Sequence, residues 1–305
     1  MIQFPACHWS SSSSVQIVPV TLPYFNGTLT GVGAATYCPS QGLYLVAVSN
    51  GSPYAMTSPD GITWTQRSLP ATTTSWNNAA SEGTRFLVAT SASTIGCVSA
   101  ANSATSWSSV TMPGAVQKKN LTGHSGYFKC NPTNAGKYST DGSTWTNGPG
   151  LAYPPNPNLQ AAQVGDLSVS SYSATRYNQP WNLYTNYYTG TIIAATLIGF
   201  PAASSSLWAM FQISSGAAAS SSPDGTTWTS RTLPIAQANT VTGGTNKHVF
   251  AFASSSATFI YSENGVTWKT GTLPSSAAWN ACASDGTSMM VFSASSLQAY
   301  KITVP

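Results

Sequence analysis

Acidic side chains are the first place to look for chemistry in this chain, because two carboxylates facing each other across a bond can hydrolyse a glycoside. The 305 residues include only 7 Asp and Glu. Outside the repeated motif described next, the acids are Asp166, Asp285 and Glu82, and each stands beside a glycine in a sequence typical of a tight turn. The 3 histidines come without a Gly-x-Ser-x-Gly motif. No catalytic residue is therefore predicted.

One motif with the pattern Ser-x-Asp/Asn-Gly-x-Thr-Trp recurs through the chain. Copies occupy 58–70, 139–150, 222–234 and 262–274, and a degenerate copy at 99–113 has an insertion and lacks the Asp-Gly pair. In such a stretch Asp or Asn accepts hydrogen bonds from the turn backbone, Gly takes positive φ and Trp is a large anchor. The motif is therefore predicted to build turns rather than an active site. Its defining residues are Asp60, Trp64, Asp141, Trp145, Asp224, Trp228, Asn264 and Trp268.

The motif belongs to a longer repeat of about 40 residues. Each period also holds a strongly β-prone run, such as 85–91 or 248–254, and further short strands separated by Gly, Asn and Asp turns. A four-stranded unit of this length is typical of a propeller blade. The sequence predicts an all-β, seven-bladed β-propeller of four-stranded antiparallel blades, with six blades as the alternative if 151–200 is an insertion. The strand 15–23 is predicted to join the last blade and close the ring.

On these motifs the sequence resembles the Asp-box, or BNR, repeat family of β-propellers, and the resemblance covers nearly all of the chain. The resemblance implies a peripheral hairpin between the third and fourth strands of each blade. It also implies that a sialidase would need three arginines, a Tyr/Glu pair, an Asp and an Arg-Ile-Pro motif. Arg67 and Arg231 stand at equivalent places after a motif Trp, and no Arg-Ile-Pro occurs. We therefore expect no enzyme, and a glycosidase is the least favoured alternative.

Composition and charge exclude several partners and cofactors. Charged residues form 6% of the chain, against roughly 25% in ordinary soluble domains. The net charge of +4 is spread thinly, so no nucleic-acid partner is expected. No run of about 18 apolar residues occurs and the N-terminal residues lack a Sec-type signal, so no membrane insertion is expected. The 5 cysteines lack metal-ligand spacing, and neither a metal nor a cofactor is predicted.

Two Trp-Asn pairs are candidates for sugar binding. Trp76 with Asn77 and Trp279 with Asn280 stand at equivalent positions, in segments that lead into the first strand of a blade. An aromatic ring can cover the apolar face of a sugar while the neighbouring amide bonds its hydroxyls. The same positions are also typical of tryptophans packed between blades, and the sequence leaves both interpretations open.

A second concentration of aromatic residues lies at 176–190, where the motif is missing. Tyr and Trp dominate the hot spots of protein interfaces, so this segment is a candidate contact surface. Local repacking of a degenerate blade is the alternative. The candidate residues are Trp181, Tyr184, Tyr187 and Tyr188.

Residues 1–14 combine apolar residues with a serine run and are expected to be an anchor or flexible leader outside a single propeller domain, 15–305. Asp-box-like propellers resemble parts of phage tails and head decorations. Together with the low charge, this favours a non-enzymatic structural or attachment component of a bacteriophage virion, within a larger assembly. The expected partners are other virion proteins, through 1–14, and host surface glycans. The alternative is a carbohydrate-binding, lectin-like propeller that is not part of a virion.

Overall fold

All regular structure in the described part of the chain is β-strand. The computed structural model describes residues 14–23, 31–49, 53–71, 75–91, 93–116, 121–124, 126–130, 136–147, 217–222, 229–235, 241–253 and 255–305, and the backbone of 162–164, 167–169, 173–177, 184–189 and 208–211.

The strands form separate antiparallel sheets that follow one another along the chain. Sheet 1 contains β2 (Val32–Cys38), β3 (Leu43–Val48), β4 (Tyr54–Ser58) and β5 (Thr65–Ser68). Sheet 2 contains β6 (Asn78–Ser81), β7 (Phe86–Ala89), β8 (Ile95–Ala100) and β9 (Ser103–Thr111). Sheet 3 contains β10 (Leu121–His124), β11 (Tyr127–Cys130), β12 (Lys137–Ser139) and β13 (Thr146–Asn147).

The second half of the chain continues the same arrangement. Sheet 4 contains β14 (Ala162–Val164), β15 (Leu167–Val169), β16 (Ser173–Tyr177) and β17 (Tyr184–Thr189). Sheet 5 contains β18 (Trp208–Phe211), β19 (Ala218–Ser222) and β20 (Thr229–Thr232). Sheet 6 contains β21 (Val241–Gly244), β22 (Val249–Phe252), β23 (Ser256–Ser262) and β24 (Lys269–Ala277). The predicted all-β fold of repeated four-stranded antiparallel sheets is therefore confirmed.

Sheet 7 joins the two ends of the chain. It contains β25 (Trp279–Ser284), β26 (Ser288–Ser293), β27 (Gln298–Thr303) and the N-terminal strand β1 (Gln16–Thr21). Strand β1 pairs antiparallel with β27, from Gln16 opposite Thr303 to Thr21 opposite Gln298. The Leu22 N–H then donates to the Leu297 carbonyl at 2.9 Å, as the Leu69 N–H donates to the Pro53 carbonyl at the end of β5.

The core lies between successive sheets. Along β3, Val46 packs in a cluster with Met290 and Phe292 of sheet 7, whereas its neighbour Leu45 packs with Phe86 of sheet 2. Successive side chains of a strand point to opposite faces, so an unbroken apolar strand needs cover on both sides. Two second strands, β7 and β22, are accordingly continuous apolar runs, and all of the residues in these two strands are buried. Each buried aliphatic or aromatic side chain contributes about 1.5–3 kcal/mol through removal from water.

The turns between first and second strands connect neighbouring sheets at one edge. The Ser40 N–H donates to the Gly83 carbonyl at 3.2 Å, and the Asn246 N–H donates to the Gly286 carbonyl at 2.7 Å. Both bonds run from a turn of one sheet to the corresponding turn of the next. They satisfy backbone groups that would otherwise need water.

The first strands of neighbouring sheets approach so closely that a side chain does not fit at one position. A Cβ added to Gly33 in β2 would lie 1.9 Å from the backbone carbonyl oxygen of Trp76. The obstructing atom belongs to the backbone of the segment that leads into sheet 2 and cannot swing aside. The contact between sheets 1 and 2 therefore depends on glycine here.

We expect Gly33→Ala to lower the free energy of unfolding by about 3 kcal/mol, because overpacking against a fixed backbone atom forces the two sheets apart. Gly42→Ala is the matched control, since its Cβ would meet nothing within 4 Å and only its φ of 61° is unfavourable. Gly42→Ala should lower the free energy of unfolding by about 1 kcal/mol. Urea unfolding followed by tryptophan fluorescence measures both. Equal stability of the two variants would contradict the close approach.

Candidate functional site

The three described copies that keep the Asp/Asn-Gly pair form the same turn, whereas the degenerate copy at 99–113 does not. We call 58–64, 139–145 and 262–268 the box turns. In the first, Asp60 Oδ1 accepts hydrogen bonds from the N–H groups of Ile62 and Thr63, at 2.8 and 2.7 Å, and from the Ser58 hydroxyl at 2.9 Å. Asp141 makes the same set with its turn, and so does Asn264. A carboxylate used in this way holds the backbone of its own turn and is not positioned as an acid or base for a substrate.

The box turns also attach each sheet to the one before it. The Trp64 ring meets Phe292 of sheet 7 edge-on, with centroids 5.8 Å apart, and Lys301 Nζ donates to the Asp60 carbonyl at 2.8 Å. A Cβ on Gly61 would lie 2.7 Å from Met290 Sδ. Trp145 packs in the same way on the core between sheets 2 and 3, and Trp268 on the core beside sheet 6. Asp224 and Trp228 lie outside the described residues.

The remaining described acids and the paired arginines have structural partners too. Glu82, with its side chain 2% exposed, accepts hydrogen bonds from Thr84 and from Arg85, whose guanidinium lies 3.1 Å away. Asp285 Oδ1 accepts from the N–H groups of Thr287 and Ser288, in the equivalent turn of sheet 7. Arg67 Nε donates to the Thr57 hydroxyl at 2.8 Å and Arg231 Nε to the Ser221 hydroxyl at 2.9 Å. The arginines therefore repeat one contact between neighbouring strands and do not converge on a common site.

The two candidate tryptophans for sugar stacking are buried. Trp76 is 0% exposed and packs in the core between sheets 1 and 2. Trp279 is 2% exposed, its Nε1 donates to the Ser256 carbonyl at 2.7 Å, and its ring meets Tyr300. A ring enclosed on both faces cannot cover a sugar, so the prediction of an exposed stacking platform at these residues is wrong. The alternative left open by the sequence, packing between sheets, describes them.

The two asparagines beside these tryptophans line a cleft of about 220 Å³. The cleft lies at the edge of the sheets opposite the box turns, where first strands begin and second strands end. We call it the Asn280 cleft. Three sheets contribute to it, and its lining residues are Val32, Gly33, Ser49, Ser75, Asn77, Asn280 and Ala294.

The two asparagines make different hydrogen bonds at this cleft. Asn280 Nδ2 donates to the carbonyls of Val32 and Gly33, at 2.9 and 3.1 Å, and so joins sheet 7 to sheet 1. Asn77 is 5% exposed, and its Nδ2 donates to the Ser91 hydroxyl of its own sheet at 2.8 Å. Sequence reasoning found these residues but missed Ser49 and Ser75. Ser49 meets the asparagines only through packing of separate sheets, and Ser75, although it is two residues before Asn77, has no local pattern that distinguishes it from the many other serines.

The structure does not describe the side chains of the second group of candidate residues. Tyr184, Tyr187 and Tyr188 belong to β17, whose backbone alone is described. Trp181 lies outside the described residues. The interface proposed from this segment therefore stays a prediction.

A group of titratable side chains that sequence reasoning did not bring together lies at the box turn of sheet 6. His248 Nε2 is 3.3 Å from Glu263 Oε1, and Lys269 Nζ is 3.7 Å from the same oxygen. The imidazole is buried beside Phe250 and Tyr261. Burial lowers the pKa of His248 below its usual 6.5, although Glu263 acts in the opposite direction. The pairing of Val249 with Ser262 explains the contact, since His248 and Glu263 are one step further along the same ladder.

The described part of the chain contains neither a cluster of metal-ligating side chains nor a membrane-spanning helix. No group of three or more His, Cys, Asp or Glu side chains there could hold a metal ion. Nor do the described residues include a helix long and apolar enough to cross a membrane. Cys97 and Cys130 are buried, and burial raises the pKa of the Cys97 thiol to about 11.

Replacing the carboxylate of a box turn tests its role. Asp60→Ala should lower the free energy of unfolding by about 1–3 kcal/mol, because three donors lose their acceptor. Asp60→Asn should have a stability near that of the wild type at pH 7, because Asn264 performs this role in sheet 6.

The Thr63 N–H is the main reason that the pKa of Asp60 falls from 3.8 to about 2. The stability supplied by the charge is present above pH 4 and lost as the pH falls towards 2, a loss that Asp60→Asn should reduce. Urea unfolding at pH 7 and 3 measures this, and wild-type stability of Asp60→Ala at pH 7 would contradict it.

His248 should make the protein sensitive to mild acid. Because its pKa is lowered in the folded state, the unfolded chain binds the proton more tightly, and stability is lost as the pH falls below about 6.5. His248→Phe keeps an aromatic ring next to Phe250 and Tyr261 and should reduce this loss between pH 7 and 5. Glu263→Gln should steepen it, since the carboxylate raises the histidine pKa. Identical pH profiles of unfolding for all three proteins would show that His248 does not control the effect.

Comparison with known proteins supports the fold. No protein-family model matches the sequence, and no curated protein matches it significantly. The structure is similar to virginiamycin B lyase from Staphylococcus aureus, with a TM-score of 0.68 and 12% identity over 96% of this chain and 100% of that chain. It is similar to a β-propeller domain from Myceliophteria thermophila, with a TM-score of 0.64 and 7% identity over 93% and 99% of the two chains. Hydrazine synthase from Kuenenia stuttgartiensis gives a TM-score of 0.68 and 9% identity over 92% and 99%. These identities carry information about the fold alone, and they agree with the repeated four-stranded sheets: the chain has a β-propeller fold.

Proposed function

We propose that this protein is a non-enzymatic β-propeller that serves as a structural or attachment component of a bacteriophage virion. The observation that carries the proposal is the use of its acidic side chains. Asp60, Glu82, Asp141 and Asp285 each hold the backbone of a tight turn. Acids engaged in this way stabilise a scaffold, and the uncharged Ser, Thr and Asn side chains between them are suited to contact rather than to proton transfer.

The proposed architecture is a ring of seven blades of the Asp-box type. Seven successive sheets in the described residues support this number over six. Closure of the ring by β1 is supported by its place as the outer strand of sheet 7. It is supported further by the Leu22 to Leu297 bond, which repeats the bond made by Leu69 at the end of sheet 1. The shared hydrogen bonds of the box turns support the likeness to Asp-box propellers.

In this proposal residues 1–14 bind another virion protein. Strand β1 begins at the edge of sheet 7 that carries the box turns in sheets 1, 3 and 6, so the leader enters the disc on that side. The opposite edge, with the Asn280 cleft, is then available for contacts away from the particle. The 6% content of charged residues suits a protein that works packed among other subunits.

Carbohydrate binding, in a lectin-like propeller with or without a virion, is the second candidate. One specific observation favours it, namely the Asn280 cleft, whose described lining has amide and hydroxyl groups and no charged side chain. Small polar clefts with a few fixed hydrogen-bonding groups are typical ligand sites. The two roles are compatible, because an attachment protein can bind host surface glycans.

Particle association tests the first role. We expect the full chain, produced during phage growth, to migrate with nucleic-acid-filled particles in a density gradient. A variant without residues 1–14 should unfold at the wild-type temperature, because β1 is intact, but remain in the soluble fraction. Ser75→Phe, at the opposite edge of the sheets, is the control that keeps the leader. A full chain that never enters the particle fraction would overturn the virion role.

A further inference from the structure

The Asn280 cleft presents mainly hydrogen-bond acceptors. Both hydrogens of the Asn280 amide are engaged by the Val32 and Gly33 carbonyls, which leaves Oδ1 as its available atom. Ser49 uses its proton on the Gly31 carbonyl at 3.1 Å and keeps its oxygen lone pairs. The Ser75 hydroxyl makes no hydrogen bond within the described part of the chain and can donate or accept. A ligand rich in hydroxyl groups, each of which both donates and accepts, matches this set.

The lining also limits the charge of the ligand. Besides these polar groups the described lining contains Asn77, Val32, Gly33 and Ala294, and it includes no Asp, Glu, Lys, Arg or His. An ionic ligand would lose hydration without gaining an opposite charge, which is costly. A neutral ligand avoids this cost and can place C–H groups against Ala294.

The walls of the cleft are fixed before any ligand arrives. The ladder pairing shifts between Val32 and Ala34 in β2, and between Trp279 and Ala281 in β25, so Gly33 and Asn280 both stand at bulges. Bulges redirect side chains and are common beside binding sites. The buried rings of Trp76 and Trp279 anchor the backbone beside Asn77 and Asn280. Groups that are ordered in advance lose little entropy when a ligand binds.

The size of the cleft restricts the ligand to a single ring. Its 220 Å³ is smaller than the roughly 300–1,000 Å³ of sites for drug-sized molecules. One six-membered ring with its hydroxyls fits a space of that order, and a longer glycan would extend from the cleft into solvent.

From these observations we infer that the Asn280 cleft binds one ring of a neutral, polyhydroxylated ligand, the chemistry of an uncharged hexose unit. Asn280 and Ser49 accept hydrogen bonds from its hydroxyls, Ser75 exchanges hydrogen bonds with it, and the half-buried Ala294 contacts its apolar face. This inference rests on the carbohydrate-binding role proposed above and assigns it to a site that does not need an exposed tryptophan.

Titration of the full-length protein with small sugars, followed by ligand-observed NMR, tests the inference. The probes are the methyl glycosides of glucose, galactose, mannose and N-acetylglucosamine, with N-acetylneuraminic acid and glucuronic acid as charged counterparts. At least one neutral glycoside should bind with a Kd on the order of millimolar, and the charged sugars should bind at least tenfold more weakly. Absence of binding by every neutral glycoside, or equal binding of the charged sugars, would overturn the inference.

Variants locate the binding. Ser75→Phe should fill the cleft and weaken binding at least tenfold, and Ser49→Ala should weaken it by a smaller factor while leaving the fold undisturbed. Ser143→Phe makes the same chemical change as Ser75→Phe at a box turn and should bind as wild type. Unchanged binding by both Ser75→Phe and Ser49→Ala would place the sugar elsewhere and refute the assignment to this cleft. Particle association of Ser75→Phe distinguishes the two proposals, because loss of sugar binding with normal entry into particles leaves the virion role intact.

Discussion

Sheets 1, 2, 6 and 7 each have two apolar faces, and the rest of the structure depends on covering both. In β3, Val46 is buried against sheet 7 and Leu45 against sheet 2, although the two residues are adjacent in the chain. A sheet of this kind cannot be stable alone, since half of its apolar surface would face water. Stability therefore comes from a succession of sheets, and the pairing of β1 with β27 supplies sheet 7 with an outer strand from the other end of the chain.

The box turns solve a local problem created by this packing. Successive sheets must stay in register at their periphery, where little apolar surface is buried. Asp60 stabilises its own turn by accepting hydrogen bonds from the turn backbone. The same turn contacts sheet 7 through Trp64, through Gly61 and through the hydrogen bond from Lys301 to the Asp60 carbonyl. Asp141 and Gly142 repeat the device against Val98 of sheet 2. An acidic residue in such a motif marks a mechanical role, and its presence is no argument for catalysis.

The two edges of the disc differ in what they offer to a partner. At the edge that carries the box turns, the polar groups of the turns are already hydrogen-bonded to one another, and His248 and Glu263 form a titratable pair there. The opposite edge holds the Asn280 cleft, where first strands from separate sheets converge and hydrogen-bonding groups remain available. Propellers of unrelated activities share this fold, as the lyase and the synthase among the similar structures illustrate. Function must accordingly be argued from such sites and not from the fold.

The amino-acid sequence alone determined the features that depend on a few neighbouring residues. The Ser-x-Asp-Gly pattern specifies a turn because its donors and acceptors lie within four positions, and alternation of apolar runs with such turns specifies four-stranded units. Even the equivalence of Arg67 and Arg231 could be inferred from the period. Whether Trp76 and Trp279 face solvent could not, because the residues that enclose them come from distant strands. The same holds for the Asn280 cleft, in which residues 32 and 280 meet only after sheets 7 and 1 have packed together. The turns can be predicted from the sequence because their hydrogen bonds join residues that are close in the chain. The burial of Trp76 and Trp279 and the formation of the cleft depend on tertiary packing, which brings together residues that no local pattern connects.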